Sequence, residues 1–261
     1  MISVVIRNKN EAKALEKTLF ILKKVYFDDV HEIIVVDNNS KDNSIEIAKK
    51  FNCVIVTIDN FTYGKATNLG IMHAKSKYVL LLSSHAVPIG NSFFKNSFQA
   101  INNSNSIAGI RYINSIENYN RALENDFIVK QPLHFGLMTG CALVNKEVWE
   151  KHKFDQKLVF SEDKEWSERV VNEGYTILDF NETFFYFIER NRKSMVNRFK
   201  NETISEYQLH GKKFPSKIKI IASFVKKIII TNTKNYYKTI LNDSIILKTK
   251  FEILKKLKNN A

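Results

Sequence analysis

The sequence has 261 residues, of which 44% are apolar and 12% aromatic, and these values fit one sizeable core with a smaller appendage. Its only two cysteines, Cys53 and Cys141, are far apart, which excludes a disulfide framework and predicts a reducing compartment, the cytoplasm. The amino terminus lacks the pattern of a secretory signal, and no apolar run reaches the roughly 20 residues that span a bilayer.

The formal charge of +13 is concentrated at the carboxyl end. Residues 212–261 carry 13 lysines against two acidic residues, a charge of +11, which leaves +2 for the rest of the chain. A basic segment of this kind meets anionic partners such as a membrane surface, a nucleic acid or an acidic protein. Because it contains no recognisable nucleic-acid module and the rest is nearly neutral, we predict no nucleic-acid partner.

The first half of the sequence alternates short β-branched runs with helical patterns. Strands are predicted over residues 2–6, 32–36, 53–58 and 78–82, with helices starting near Asn10 and covering 40–51 and 67–74. This alternation is typical of an α/β fold with a mostly parallel sheet flanked by helices. Ligands of such sheets bind beyond the carboxyl ends of the strands, where Asp37 and residues 83–85 lie.

The second half has a mixed pattern. It predicts strands over 137–145 and 183–188 and helices over 146–151 and 162–172, the last of these ended by Gly174. From about residue 192 the pattern is helical and basic. We therefore predict a main domain over residues 1–210 and a basic helical extension over 211–261.

Two polar turns in the first half carry candidate ligand-binding residues. Asp37 follows the second strand in VVDNNSKDNS, where such residues also serve as ordinary helix caps. Gly64 and Lys65 precede a helix, and such a turn is either an ordinary loop or a phosphate site built from backbone N–H groups and an ammonium. The spacing does not match a P-loop, and the absence of G-x-G-x-x-G disfavours a Rossmann dehydrogenase.

Five segments, in the same order along the chain, resemble the family 2 glycosyltransferases of GT-A fold. They are SVVIRNKNEA, VVDNNSKDNS, GKATNLGIMHAKSKYVLLLSSHAVP, TGCALVNKEVWEKHKFDQKL and FSEDKEWSERVVNEGY. The resemblance covers about residues 2–190. The residues of the segments IRNKNE, SSHAVP and SEDKEW are most similar to those of rhamnosyltransferase-like bacterial members. It implies a Rossmann-like GT-A fold and an inverting transfer of a hexosyl or deoxyhexosyl group. The donor would be a nucleotide-diphosphate sugar, and the acceptor a hydroxyl of a glycan or lipid-linked molecule in capsule or lipopolysaccharide synthesis.

The resemblance also implies roles for individual residues. Asp163, next to Glu162, is the expected general base, because an inverting transfer needs one carboxylate to deprotonate the acceptor hydroxyl. Gly140 is expected on the acceptor side, and Trp166 either lines the acceptor pocket or belongs to the core. The residues expected to contact the donor nucleotide are Arg7, Asn10, Glu11, Asp37, Lys65, Asn68, Ser83 and Ser84.

One departure from the family concerns its divalent cation, Mn²⁺ or Mg²⁺. Ser83, Ser84 and His85 stand where the family carries an acidic D-x-D metal ligand. Imidazole suits transition metals better than Mg²⁺. Three alternatives therefore stay open: a Mn²⁺-like ion bound by His85, with Glu189 as a further ligand; a metal-free site that uses Lys and Arg; or a sugar-nucleotide-binding relative without turnover.

The basic extension has an apolar stripe at helical spacing, formed by Ile221, Phe224, Val225 and Ile228. The stripe predicts one of three arrangements: a helix packed on the core, a homo-oligomer, or a peripheral helix on the cytoplasmic face of the inner membrane. A lipid-linked acceptor would favour the membrane arrangement. A nucleotidyltransferase is disfavoured, because IRNKNE has no glycine-rich turn after the first strand.

Overall fold

The structure, a computed structural model, describes residues 1–188 and 192–259, with side chains as far as residue 253. The chain forms two compact units, Met1–His210 and Gly211–Ala261. Among the described residues, every β-strand lies in the first unit, whereas the second is helical. The predicted metal ligand Glu189 falls outside the described residues.

Seven strands of the first unit form one sheet, and two more form a separate ribbon. The strands are β1 (Ile2–Asn8), β2 (Val30–Asp37), β3 (Val54–Thr57), β4 (Tyr78–Ser83), β5 (Ala86–Pro88), β6 (Ile107–Tyr112), β7 (Cys141–Asn145), β8 (Thr176–Phe180) and β9 (Phe184–Tyr186). The order in the sheet is β3-β2-β1-β4-β7-β6-β8, and β5 pairs with β9 in the ribbon.

Helices connect these strands and make up the described part of the second unit from Lys217 onward. In the first unit they are α1 (Ala12–Val25), α2 (Ser44–Lys50), α3 (Tyr63–His73), α4 (Phe93–Asn102), α5 (Ile116–Glu124), α6 (Pro132–Phe135), α7 (Lys146–Lys151), α8 (Glu162–Asn172) and α9 (Arg192–Leu209). The second unit contains α10 (Lys217–Lys226), a π-helical segment (Lys227–Asn232) and α11 (Thr233–Asn259).

The predicted α/β class and mostly parallel sheet are confirmed. Strand β1 runs parallel to both β2 and β4, β2 runs parallel to β3, and β6 runs parallel to β8. Among the described strands of the seven-stranded sheet, only β7 is antiparallel to its neighbours, β4 and β6. Along β1, Val4 and Ile6 pack into one apolar cluster and Val5 into another, so both faces of the sheet are covered.

The carboxyl ends of β1, β2, β4 and β6 lie at one edge of the sheet, where the chain turns into loops. The register places Asn8 beside Asp37 and Arg7 beside Ser83. The amino end of β7, at Cys141, reaches the same edge because β7 runs the opposite way. Side chains that the sequence predicts to bind a ligand therefore meet there, although they come from distant parts of the chain.

One predicted helix boundary is wrong in a way that changes the meaning of a motif. The helix predicted over 67–74 is Tyr63–His73 and starts four residues earlier than predicted. Thr62 caps it, since its hydroxyl accepts a hydrogen bond of 3.1 Å from the backbone N–H of Lys65. Gly64 and Lys65 therefore lie in the first turn of a helix and not in a loop.

Other boundaries differ by a few residues. The helix predicted over 40–51 covers only Ser44–Lys50, because the Asp42 carboxylate accepts hydrogen bonds from the N–H and hydroxyl of its first residue. The strand predicted over 137–145 begins only at Cys141. The elements α4, α5, α6, β5, β6 and β8 were not predicted. The three strands among them have only three to six residues, and short strands carry weak periodicity.

The second unit exposes many apolar side chains. Ile221, Phe224, Val225 and Ile228 are all exposed, and the π-helical segment begins at Lys227, before the stripe ends. No helix among the described residues is long and apolar enough to cross a membrane.

Candidate functional site

A cleft of about 1550 Å³ opens at the carboxyl edge of the sheet. It exceeds the ~300–1,000 Å³ typical of small-molecule sites, so it has room for two ligands side by side. Its walls include Arg7 and Asn8 at the end of β1, Ser83 at the end of β4, and Gly140 just before β7. Further wall residues come from the start of α8 and from α9.

Asp163 lies on the cleft wall in the first turn of α8. One carboxylate oxygen accepts a hydrogen bond of 3.1 Å from the backbone N–H of Thr139, and the other accepts one of 2.9 Å from that of Lys164. Burial raises the pKa of Asp163, whereas the N–H of Thr139 and the charge of Arg7 lower it. The side chain is thus a fixed carboxylate with increased basicity that faces the cleft.

Glu162 lies behind this wall and is only 3% exposed. Its carboxylate accepts hydrogen bonds from the Arg7 guanidinium, at 3.3 Å, and from the Thr139 hydroxyl, at 3.0 Å. Burial, and then the charge of Asp163, raise the pKa of Glu162 to about 7, against the opposing effect of Arg7. The adjacent carboxyl groups therefore titrate as an interacting pair.

Arg7 connects the sheet to this carboxylate pair. Its guanidinium donates to the carbonyl of Thr139 at 2.8 Å and to the hydroxyl of Thr67 at 3.2 Å. The guanidinium carbon also lies 5.3 Å from the ring centre of Tyr63. Although Arg7 lines the cleft, its donors are largely used to position Glu162 and the turn before β7.

Four other predicted donor-binding residues lie on the cleft wall: Asn10, Glu11, Ser83 and Ser84. Asn10 is held in the left-handed region, at φ 51°, and its side-chain oxygen accepts a hydrogen bond from the N–H of Lys41. The turns after β1 and β2 are thereby tied to each other. These four residues line the same cleft as Arg7 and Asp163.

Asp37, Lys65 and Asn68 lie outside the cleft lining. Asp37 is 1% exposed, and its carboxylate accepts hydrogen bonds from Ser40 and Asn8, which hold the turn after β2. The ammonium of Lys65 donates to the carbonyl of Asp59 at 2.8 Å. In the structure, Asp37 and Lys65 thus make hydrogen bonds within the protein, and their predicted contact with the donor nucleotide stays a prediction.

Asn68 is buried, and its amide is fully used within the core. It donates to the carbonyl of Phe154 and accepts from the indole N–H of Trp149, both at 2.8 Å. Nearby, Gly64 packs against the same loop, where an added Cβ would lie 2.1 Å from the carbonyl oxygen of Asp155. Gly64 and Asn68 of the GKATN motif therefore serve the packing of α3 against this loop.

The two residues predicted on the acceptor side, Gly140 and Trp166, lie in different environments. Gly140 lines the cleft, and an added Cβ would approach the ring of Tyr186 to 3.3 Å. Trp166 is fully buried, stacks on Phe154 with ring centres 5.0 Å apart, and donates its indole N–H to the carbonyl of His152. Of the two alternatives for Trp166, the structure shows the core one, because α8 turns this side chain away from the cleft.

Ser83, Ser84 and His85 form the turn that replaces the acidic metal motif, and all three line the cleft. The His85 ring lies edge-on to Tyr186, with centres 4.7 Å apart. The turn offers two hydroxyls and one imidazole but no carboxylate, the ligand that Mg²⁺ and Mn²⁺ prefer. Among the described residues, His85 belongs to no group of three His, Cys, Asp or Glu side chains close enough to hold an ion. The donor set of this turn therefore does not fit the divalent cation that the resemblance implies.

Several cleft residues were missed by the sequence interpretation. Thr139 touches both carboxylates, and Ser161, at φ 62°, starts α8 in a left-handed conformation that aims its first turn at the cleft. The aromatic residues Phe61 and Tyr63 form another wall, with ring centres 5.1 Å apart. The T-G pair before a strand and the S-x-D start of a helix were the available signals for Thr139 and Ser161.

Comparison with known proteins agrees with this architecture. The model of glycosyl transferase family 2 matches residues 3–170 of the chain. No curated protein sequence matches it. A mannosyltransferase, PcManGT from Pyrobaculum calidifontis, solved with GDP-Man and Mn²⁺, is similar in structure at a TM-score of 0.65 and 13% identity. The alignment covers 82% of this chain and 65% of that one.

Two further solved structures show the same fold. Glucosyl-3-phosphoglycerate synthase from Mycobacterium tuberculosis, in complex with Mn²⁺, UDP-Glc and phosphoglyceric acid, gives a TM-score of 0.60 at 15% identity, over 83% of this chain and 81% of that one. A fragment of S. aureus TarS gives 0.53 at 15% identity, over 70% of this chain and 59% of that one. The chain thus spans less than two thirds of two of these relatives, 65% of PcManGT and 59% of the TarS fragment.

The structural neighbours establish the GT-A fold, in which a mostly parallel sheet carries the cleft at its carboxyl edge. The family match extends from β1 through most of α8, and so includes the strand ends and the carboxylate pair that build the cleft. The chain belongs to glycosyl transferase family 2.

Proposed function

We propose that this protein is an inverting glycosyltransferase that uses a nucleotide-diphosphate sugar as donor and a hydroxyl group as acceptor. The observation that carries the proposal is the position of Asp163, a partly buried carboxylate held by two backbone N–H groups on the wall of a large cleft. A carboxylate that is fixed, raised in pKa and open to a ligand is suited to accept a proton at neutral pH.

In the proposed reaction, the acceptor oxygen attacks the anomeric carbon of the donor sugar from the face opposite the leaving group. The bond from that carbon to the diphosphate oxygen breaks, and the nucleoside diphosphate leaves with the electron pair. The proton of the acceptor hydroxyl passes to Asp163, on the cleft wall. Glu162, held behind the wall by Arg7, adds negative charge next to Asp163 and so increases its proton affinity.

The part of the cleft next to the turns after β1 and β4 is proposed to hold the nucleotide. Asn10, Glu11 and Ser84 present an amide, a carboxylate and a hydroxyl there, which match the hydroxyls of a ribose and the edge of a base. Because the turn at His85 does not fit a hard divalent cation, charge on the leaving diphosphate falls to cationic side chains of the cleft. Lys9 and Lys193 are on its wall and suit that purpose.

A titration separates this function from the alternatives. UDP, GDP, CDP and dTDP, each with and without EDTA, should be tested by calorimetry against the full-length protein, with a single-stranded oligonucleotide in parallel. We expect one of the nucleoside diphosphates to bind in a 1:1 ratio and to retain its affinity in EDTA. Binding of the oligonucleotide alone would contradict the proposal, and loss of diphosphate binding in EDTA would contradict its metal-free form.

The pKa of Glu162 predicts a specific pH dependence. As pH rises through about 7, Glu162 loses its proton and its charge strengthens Asp163 as a base, so turnover should rise over this range. In the variant Glu162→Gln this rise should disappear, while the loss of activity at lower pH, which reflects protonation of Asp163, should remain. Initial rates between pH 5 and 9 for both proteins test this. An unchanged inflection near pH 7 in the variant would assign that ionisation to another group.

The finer identity of the reaction is also a proposal. The segments IRNKNE, SSHAVP and SEDKEW resemble those of rhamnosyltransferase-like bacterial proteins. This resemblance supports a hexosyl or deoxyhexosyl donor of the rhamnosyl type and an acceptor in bacterial surface polysaccharide synthesis. The basic unit Gly211–Ala261 supports a lipid-linked acceptor at the cytoplasmic face of the inner membrane, because its exposed apolar and cationic side chains suit an anionic lipid surface.

Vesicle binding tests this role for the second unit. The full-length protein should sediment with anionic vesicles but much less with neutral ones, and added salt should weaken the binding. Each lysine near the surface contributes about 1 kcal/mol, so replacing Lys217, Lys219, Lys226 and Lys227 by Gln should weaken binding by more than about tenfold. Truncation after His210 should abolish it. Equal, negligible sedimentation of all the proteins would leave packing or homo-oligomer formation as the role of the stripe.

A further inference from the structure

A second cluster of ligating side chains lies on the cleft wall, apart from the carboxylate pair and from the turn at His85. It consists of His134 on α6, Glu206 on α9 and His210, which directly follows α9. One ligand atom from each of the three lies within 4.8 Å of the others. Among the described residues this is the only such group of three.

The chemistry of the three side chains points to a transition metal. Two imidazoles and one carboxylate are typical of zinc sites with an open coordination position. Mg²⁺ and Ca²⁺, in contrast, prefer oxygen ligands alone. Glu206 and His210 are four residues apart in a continuous helical turn, since the N–H of His210 donates to the carbonyl of Glu206 at 3.2 Å. Both therefore project from one face of the same element.

The electrostatics of the cluster agree with this assignment. The Nε2 atom of His210 is shielded from solvent and makes no hydrogen bond, although it lies 3.3 Å from a carboxylate oxygen of Glu206. The imidazoles of His134 and His210 stack with ring centres 4.5 Å apart and an angle of 18° between their planes. A cation between these groups would supply the partner that the buried nitrogen lacks.

Hydrogen bonds anchor the backbone segments that carry the three side chains of the cluster. The side-chain hydroxyl of Ser205, next to Glu206, is fully buried and donates to the carbonyl of Phe160 at 2.9 Å. On the other side, the backbone N–H of Leu137 donates to the hydroxyl of Ser167 at 2.9 Å, which anchors the chain after α6 onto α8. Of the three, only His134 is exposed, so its side chain has room to change rotamer toward the ~2.0–2.2 Å bond lengths of zinc.

We propose that His134, Glu206 and His210 bind a divalent transition-metal ion of the Zn²⁺ class. The ion joins α6 to the end of α9, and because His134 and Glu206 line the cleft, its open position faces the cleft. The site requires neither the donor nor the transfer reaction, so it stands independently of the proposed function.

Metal binding by the full-length protein, freed of any polyhistidine tag and stripped with a chelator, tests this proposal. Co²⁺ is the spectroscopic probe, and Zn²⁺ should displace it and raise the unfolding temperature. We expect one ion per chain. His134→Ala, Glu206→Gln and His210→Ala should each weaken the affinity at least about tenfold, since even outer-shell changes cost 10–100-fold. The exposed residue His73 provides the control, and His73→Ala should bind as the wild type does.

Two outcomes would overturn the proposal. One is the absence of both a Co²⁺ spectrum and a Zn²⁺-dependent rise in unfolding temperature in the wild type. The other is unchanged affinity in His134→Ala, whose exposed side chain can be removed without disturbing the core. Circular dichroism of each variant distinguishes loss of a ligand from loss of folding.

Discussion

Replacing Asp163 by Asn should reduce turnover by about 10²–10⁴-fold, the usual effect of removing a general base. Asn has nearly the same shape and keeps an oxygen to accept the hydrogen bond from the N–H of Thr139, but it cannot take a proton at neutral pH. Affinity for the nucleoside diphosphate should stay within a few-fold of the wild type, because Asp163 is proposed to contact the acceptor hydroxyl and not the nucleotide. Initial rates and calorimetry on the same preparations measure both quantities.

Glu165→Gln is the matched control for this variant. Glu165 lies in the same first turn of α8 but pairs with Arg169 at 2.8 Å, and it is not part of the cleft wall. Its replacement should leave turnover near the wild-type value. Near-normal turnover in Asp163→Asn would rule out the base, whereas equal losses in both variants would indicate damage to α8.

The variant Arg7→Met should lose about 3–5 kcal/mol of the free energy of unfolding at pH 8, the usual cost of removing one partner of a buried ion pair. The side chains of Arg7 and Glu162 are only 10% and 4% exposed, so the variant leaves the buried carboxylate of Glu162 without its cationic partner. Chemical denaturation of both proteins at several pH values measures the difference in the free energy of unfolding.

The loss should grow with pH. Burial raises the pKa of Glu162 from 4.5 to about 7 in the folded wild type, so the folded state holds the proton more tightly and its stability falls as pH rises between these values. Without Arg7 the folded pKa is higher still, since the guanidinium lowers it. In the variant the free energy of unfolding therefore keeps falling to higher pH, and its difference from the wild-type value increases.

Two controls isolate the buried pair. The double variant Arg7→Met/Glu162→Gln should recover much of the loss and remove its pH dependence, because no buried charge is left unpaired. Arg169→Met breaks the partly exposed pair with Glu165, with side chains 34% and 26% exposed, and should cost less than about 1 kcal/mol. A pH-independent loss in Arg7→Met would mean that contacts other than the ion pair dominate.

The fold could largely be predicted from the sequence, because the buried strands of the sheet consist of runs of β-branched and apolar residues. Strand β1 and strand β4 were recognised from such runs, and their side chains are almost entirely buried. The pairing of helices with strands then restricts the topology, which places ligands at the carboxyl edge. Strands β6 and β8 were missed, since each is short and interrupted by charged residues, Arg111 and Asp179.

The site was only partly predictable, because a motif does not state which way its side chains point. Glu162 and Asp163 are adjacent, yet about 100° of helical rotation sends one into the core and the other to the cleft. Asn68 and Lys65 belong to a motif that resembles the family, but tertiary contacts with residues far along the chain occupy Asn68. Such contacts at separations above 80 residues leave no local signal in the sequence.

Sugar transfer followed by nuclear magnetic resonance tests directly whether the protein is an inverting glycosyltransferase with Asp163 as its base. The full-length protein and Asp163→Asn should be incubated with nucleotide sugars, first with water alone and then with a panel of glycan and lipid-linked acceptors. For the full-length protein we expect release of a nucleoside diphosphate and, at early times, a sugar product whose anomeric configuration is opposite to that of the donor. The Asp163→Asn variant should form this product at a rate lower by about 10²–10⁴-fold. A product that retains the donor configuration, or a donor that binds the cleft and is never consumed, would contradict this function.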